Sequence, residues 1–268
     1  MSFENEHTFE KFVISKEEES FHEQYEQAIR DVRSEFGRQY PLIIGSKKIK
    51  TNSNFTHRSP LDSRITLGYF PRSRPEDTRV AIRDARNSFK VWSKYDYKKR
   101  IEICSAAGDI LSRRKFELAA WLSYENGKNR YEAMGDIDEA IDFIRYYCKN
   151  MKANEGFSNL TKSAYKTETS RSVMKPYGVW AVIAPFNFPA AILIGMSTGA
   201  LVTGNTIVLK PASNAPIIAY KVLNLITGPG AQLGQEIARN EDVAGVVFTG
   251  SFKRPNRNPL LPGMDTSG

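Results

Sequence analysis

The chain has 268 residues, 41% of them hydrophobic and 25% charged, with a formal net charge of +8. This is the composition of a folded globular chain long enough to bury a large core, and it excludes a low-complexity or collagen-like protein. The basic surplus is scattered in short runs (Lys47-Lys48, Lys98-Lys99-Arg100, Arg113-Arg114-Lys115), which suits solvated helix faces and argues against a nucleic-acid partner.

Residues 1–26 hold eight glutamates against two lysines. No positive region precedes an apolar core there, so neither a secretory signal nor an organellar targeting helix is expected. Two cysteines cannot build a disulfide framework or a four-ligand metal site, and a cytoplasmic protein without a metal is the expectation. Cys104 and Cys148 each fall on an apolar helical stripe, the latter in the series Ile137, Ile141, Ile144, Cys148, Met151. Both are expected as small buried core groups.

In chain order, the acidic start gives way to a helix carrying Phe21, Tyr25, Ala28, Ile29 and Val32, closed by Gly37. Residues 41–71 read as strands and loops with a turn at Gly45. Helices dominate from Glu76 to about Met151, with breaks expected at Gly127 and Gly135. Residues 159–177 alternate polar and apolar and read as an exposed hairpin or linker arm. The grammar changes after Pro176. Gly178–Ala184 is an apolar run suited to a buried strand, Ala190–Thr203 an apolar helix, and Thr206–Leu209 a second buried strand. Phe188 to Leu209 is the longest apolar stretch, but Gly195, Gly199, Gly204 and Asn205 interrupt it. It reads as helix plus strand, and no membrane partner is expected. A short helix near Ala215–Lys221, a strand Leu223–Ile226, a Gly-Pro-Gly turn, a helix Leu233–Asn240 and a strand Val243–Phe248 follow. Continuously apolar strands alternating with helices predict a parallel sheet covered on both faces. The fold class is therefore α/β, a doubly wound parallel sheet behind a mostly helical preface. The expected organisation is a helical part over 1–158, a hairpin or oligomerisation arm over 159–177, a cofactor-binding core over 178–251 and a disordered tail over 252–268.

Four loops fall at the carboxyl edge of this sheet, where open α/β folds bind ligands. The first is Ala184-Pro185-Phe186-Asn187-Phe188-Pro189. Asn187 offers two amide hydrogens of the kind an oxyanion hole uses, or else caps the following helix. Lys210, after the second strand, reaches a ribose or phosphate or remains a solvated strand end. Gly228-Pro229-Gly230 with Gly234 places glycines around a helix start without matching the six-residue dinucleotide fingerprint. Thr249-Gly250-Ser251 closes the last strand with two hydroxyls and a glycine.

Taken together, "VIAPFNFPAAILIGMSTGALVTGNTIVLKPAS", "GPGAQLGQEI" and "VVFTGS" closely resemble the aldehyde dehydrogenase superfamily over about residues 20–251. The stretch "YENGKNRYEAMGDIDEAIDFIRYY" resembles the branch that oxidises L-glutamate γ-semialdehyde, the open form of 1-pyrroline-5-carboxylate. The resemblance implies that Asn187 is the oxyanion asparagine. It implies that Ile183, Ala184, Pro185 and Phe186 line the cofactor, and that Lys210 and Ser213 face the adenosine ribose. Gly230 and Gly234 match glycines near the adenine end, and Phe248 and Ser251 match the strand end and a phosphate contact. Glu139 and Phe188 match the substrate side. NAD is the implied cofactor, and a serine at 213, where many relatives have a glutamate, admits NADP. The implied activity is NAD(P)-dependent oxidation of L-glutamate γ-semialdehyde to glutamate in proline breakdown, with a small aldehyde as substrate. The family's homo-oligomers pair through an arm matching residues 159–177.

Three departures accompany the resemblance. The helix between Pro216 and Leu223 is shorter than in the family, and Phe252 leads into a proline-rich run where relatives continue with a glycine-bearing helix. The chain also ends before the family's nucleophilic cysteine, general-base glutamate and catalytic domain. The expectation is a truncated chain, inactive alone, with an incomplete pairing surface. The alternatives are a non-catalytic dinucleotide-binding fragment or another aldehyde dehydrogenase.

Overall fold

A computed structural model describes residues 5–223, 227–228 and 230–249. Ser251, most of the predicted strand Leu223–Ile226 and the tail from 252 lie outside the described residues.

The preface begins with α1 (Thr8–Ser15) and α2 (Glu18–Arg33). Phe21, Tyr25, Ala28 and Val32 recur at helical spacing on α2 and are buried, so one apolar stripe faces inward. Short strands follow: β1 (Arg38–Gln39), β2 (Leu42–Ile44), β3 (Lys47–Ile49), β4 (Asn54–Arg58) and β5 (Thr66–Pro71). β2 and β3 form a hairpin, turned at Gly45 with φ +58°, a conformation glycine adopts without steric cost. β5 pairs with β1 in parallel and with β4 in antiparallel.

Four helices come next: α3 (Pro75–Trp92), α4 (Tyr97–Arg113), α5 (Lys115–Asn126) and α6 (Arg130–Ala153). Gly127 ends α5 in the left-handed region at φ +74°, as expected for a helix stop. The break expected at Gly135 does not occur, because Gly135 lies inside α6. Asn129 accepts from the amides of Tyr131 and Glu132, both at 3.0 Å. Glu132 accepts in return from the Asn129 amide at 3.4 Å, a capping box. With that start, and with Met134, Ile137, Ile141 and Ile144 all buried, one interior glycine costing about 1 kcal/mol does not interrupt the helix.

The residues read as an arm form an antiparallel hairpin, β6 (Ser158–Thr161) with β7 (Ser170–Val173). Beyond it lie β8 (Val179–Ile183), α7 (Ala191–Val202), β9 (Thr206–Lys210), α8 (Pro216–Val222), α9 (Gly230–Arg239) and β10 (Val243–Phe248). The last helix starts three residues earlier than predicted, at Gly230 rather than Leu233.

Strands β8, β9 and β10 form a parallel sheet in the order β10-β8-β9. One face, through Val179, Val208 and Val243, packs with Ile82 of α3 and Leu233 of α9. The other, through Val182, Ile207, Leu209 and Val247, joins the large core shared with α4, α5, α6 and α7. Both faces are thus covered, as the apolar runs predicted. β10 changes face partway. Val243 pairs with Val179 but Gly245 pairs with Trp180, so Ala244 is an extra residue, a β-bulge that reverses the alternation downstream. Glycine is required at 245, since a Cβ there would lie 2.9 Å from the Trp180 ring.

Helix α7 lies against α6 through small residues. A Cβ on Gly195 would sit 2.9 Å from the Phe143 ring, and one on Gly199 3.6 Å from Tyr147. Its carboxyl end is fixed by two donors, Trp92 Nε1 to Leu201 O and Arg100 Nε to Val202 O, each at 2.9 Å. No helix among the described residues is long and apolar enough to cross a membrane.

Candidate functional site

The carboxyl ends of the parallel strands share one row, because Ile183 pairs with Phe248 on one side and Lys210 on the other. The ladder runs on into the loops. The Ala184 amide donates to Lys210 O at 3.1 Å and the Thr249 amide to Ile183 O at 3.3 Å. From the central strand β8 the chain passes through α7 to β9 on one flank. It returns past α8 and α9 to β10 on the other. This reversal of winding is the place where open α/β sheets leave a ligand crevice.

Four of the predicted positions meet directly here. Ile183, Lys210 and Phe248 stand in register, and Gly230 opens α9 beside Lys210. A Cβ on Gly230 would be 3.7 Å from Lys210 Cε and 3.9 Å from its Nζ. Lys210 is buried, and its ammonium donates to Pro211 O at 2.9 Å. Gly234, one turn along α9, is buried as well. Ser213 is exposed in the turn before α8, and Phe248 is partly open at 40%.

The β8–α7 loop has a buried base, Ala184 and Pro185, and an exposed crest, Phe186-Asn187-Phe188. The crest is held by residues of the helical preface. Asn126 Nδ2 donates to Phe186 O at 2.8 Å. The Lys128 ammonium sits 3.9 Å from the centre of the Phe188 ring, a cation–π contact, while donating to Asp136 Oδ2 at 2.8 Å. Asp136 Oδ1 then accepts from the Ala191 amide at 2.7 Å. Asp136 therefore caps α7, and the two readings of Asn187 separate: it does not cap the helix, and it stands exposed at the crest. Burial pushes the Asp136 carboxyl up, against the pull of Lys128 and of the helix amides.

Glu139 lies three residues beyond Asp136 on the exposed side of α6. Partial burial and the nearby Asp136 carboxylate raise its pKa, and Lys128 opposes them.

The start of α8 has the same design as that of α7. Glu125 accepts from the amides of Ile217 and Ile218 at 2.6 and 2.8 Å, and His57 Nε2 lies 3.0 Å from its Oε1. Both carboxylates are fully enclosed. The amide ends of α7 and α8 are thus already occupied by anions of the protein, and Lys210 places a cation beside the start of α9. Asn126, Lys128, Asp136, Glu125 and His57 escaped the sequence reading. One signal was present: Asp136 interrupts the stripe Met134, Ile137, Ile141 with a charge, and a charge on a core stripe calls for a partner. Two concavities border other parts of the fold, one of about 550 Å³ at α2 and Phe116, the other of about 270 Å³ along β9.

Known proteins resemble this chain in sequence and in fold. Residues 48–254 match the model of the aldehyde dehydrogenase family. The chain is 38% identical over 238 residues to a 1-pyrroline-5-carboxylate dehydrogenase of Geobacillus thermodenitrificans, covering 84% of this chain and 46% of that protein. It is 35% identical over 257 residues to the enzyme of the same name from Anoxybacillus flavithermus, covering 91% and 48%. Among solved structures, 1-pyrroline-5-carboxylate dehydrogenase from Thermus with bound NAD superposes with a TM-score of 0.88 at 31% identity, covering 96% of this chain and 51% of that one. Proline utilization A of Bdellovibrio bacteriovorus superposes at 0.84 with 30% identity, covering 89% and 26%. The chain spans about half the length of the curated relatives it matches.

Proposed function

Because this chain belongs to the aldehyde dehydrogenase family, we propose that its sheet edge is the nicotinamide-dinucleotide site of an enzyme oxidising L-glutamate γ-semialdehyde to glutamate in proline breakdown. The observation that carries the reading is the row Phe248–Ile183–Lys210 with Gly230 against Lys210. A bare glycine beside a buried lysine leaves room for a ribose or phosphate at the one edge where the fold concentrates its loops. Lys210, Ser213, Gly230 and Gly234 would hold the adenosine side, with Ser251 as a further phosphate contact. Ile183, Ala184, Pro185, Phe186 and Phe248 would line the rest. When bound, the dinucleotide supplies the hydride acceptor.

The protein's own share of the chemistry is orientation and charge stabilisation. Asn187 would donate its side-chain amide to the oxygen that becomes negative when an aldehyde carbonyl is attacked. Its exposed crest, pinned on either side by Asn126 and Lys128, holds that donor in place before substrate arrives. Glu139 and Phe188 would border the substrate. Cys104 and Cys148 are buried in the helical core and are not suited to the attacking thiol, which must reach substrate as a thiolate. We therefore assign this chain the dinucleotide-binding and oxyanion-stabilising part of the reaction. The β6–β7 hairpin and the segment after it expose Leu160, Val173, Met174 and Tyr177 and are suited to pairing with a second subunit. Two free thiols suit a reducing compartment, and we place the protein in the cytoplasm.

Calorimetric titration of the chain with NAD and with NADP tests the reading. Saturable binding below the millimolar range is expected, weakened about tenfold by Lys210→Ala, a loss of about 1.4 kcal/mol. The absence of saturable binding with either dinucleotide at millimolar concentration would overturn it. The order of the two affinities decides between NAD and NADP.

A further inference from the structure

Helices α4 and α6 lie side by side, and the contact is close because a small residue faces a large one. A Cβ on Gly108 of α4 would be 3.3 Å from Ile144 of α6. One turn further along α6, Cys148 meets α4 one turn before Gly108. Its Sγ lies 3.9 Å from Ile101 O, one turn before Cys104 on α4. Cys104 and Cys148, 44 positions apart in sequence, thus face each other across one helix contact. Both belong to the same core cluster, at 8% and 5% exposure. The sequence reading of two inert core thiols holds for their burial but misses their pairing.

We propose that Cys104 and Cys148 form a dithiol modification site that closes to an intramolecular disulfide when a small two-electron oxidant such as a peroxide reaches the α4–α6 contact. The step balances. The Cys148 sulfur attacks one peroxide oxygen, the O–O bond breaks, and a sulfenic acid and one water result. The Cys104 sulfur then displaces the hydroxyl from Cys148, forming the S–S bond and releasing a second water. Two thiols lose two electrons and two protons, and the peroxide takes up both. The order of attack follows from the environment. The neighbouring Cys104 and Ser105 side chains draw the Cys148 thiol down against the effect of burial. The neighbouring Cys148 and burial push the Cys104 thiol up.

The linkage matters because of what the two helices carry. α6 supplies Asp136, which caps the amino end of α7, and α4 supplies Arg100, which holds its carboxyl end. A bond between them locks the two supports of α7 together without touching the dinucleotide edge.

The test is oxidation of the native purified chain with hydrogen peroxide, followed by unfolding, alkylation of remaining thiols and intact mass measurement. The expected result is a monomer that has lost two hydrogen atoms and takes up no alkylating reagent, with one proteolytic fragment linking Cys104 to Cys148. The same dose given to urea-unfolded chain should close the bond at least about tenfold more slowly, since the fold supplies the proximity. Cys148→Ser should leave Cys104 alkylatable. Oxidation of either sulfur alone to a sulfinic acid, bonds between molecules only, two thiols still free, or equal rates in the folded and unfolded chains would each overturn the proposal. The wild-type comparison needs no variant to fold.

Discussion

Replacing Asp136 by alanine probes the joint between the helical preface and the β8–α7 loop. Its carboxylate is fully enclosed and holds two donors, the Lys128 ammonium at 2.8 Å and the Ala191 amide at 2.7 Å. The Lys128 side chain is only 11% exposed, so without Asp136 its charge keeps the Phe188 ring and little else. Removing one member of a buried ion pair costs about 3–5 kcal/mol, because the other is left uncompensated. Loss of the α7 cap alone is worth about 1 kcal/mol. The overlapping effects give an expected loss of about 4 kcal/mol, a fall in Tm of roughly 8–16 °C for a chain of this size. Thermal unfolding followed by circular dichroism measures it. Adding Lys128→Met to Asp136→Ala should recover about half the loss, because the orphaned charge goes with it. A single-variant loss below about 1 kcal/mol, or no recovery in the double variant, refutes the reasoning.

Glu125→Ala removes the acceptor of two α8 amides and the partner of His57, and a loss of about 3 kcal/mol is expected in the same assay. Asn187→Ala should change stability by less than about 0.5 kcal/mol, since Asp136 and not Asn187 caps α7; a Tm drop comparable to that of Asp136→Ala would return Asn187 to a structural role. Acid should loosen the amino terminus. Burial opposes ionisation of Glu6, but hydrogen bonds from Arg145 and Lys115, with the charge of Lys11, bring its pKa from 4.5 to about 2. A carboxylate held low in the fold contributes stability above its ordinary value and loses it as pH falls toward the lowered one. Stability should therefore decline between pH 4.5 and about 2, and Glu6→Gln should flatten that part of the profile in pH-dependent urea unfolding. Asp136 works in the opposite sense. Its raised pKa makes its contribution less favourable as pH climbs from the ordinary carboxylate value through the raised one.

Much of the edge was legible because it depends on local patterning. Apolar runs at 178–184 and 206–209 set two buried strands, and Val243–Phe248 a third. Their ends carry Ile183, Lys210 and Phe248 into one row once the strands pair. What the sequence concealed was long-range. Asp136 is 55 positions from the amide it caps, and Glu125 is 92 from the first of its own. No window of periodicity reports a carboxylate reaching that far. Gly135 misled for the reverse reason, since a local breaker was outweighed by a capping box at Asn129 and by core contacts on either side. Cys104 and Cys148 were each placed correctly on an inward stripe. That they share a level needs the axial offset of two helices, which spacing within either helix does not contain.

The extra residue at Ala244 has a consequence for how this strand tolerates change. It acts as a phase shift: upstream, odd positions look toward α3, and downstream, even ones do. Deleting Ala244 would remove only the extra residue and leave Val247 and Phe248 opposite Val182 and Ile183, whereas one residue inserted after Gly245 would turn Val247 out of the large core and swing Phe248 and Thr249 through half a turn at the rim. Every composition-based measure of the strand would stay almost the same, while the last two positions before the carboxyl edge of the sheet would present the wrong sides.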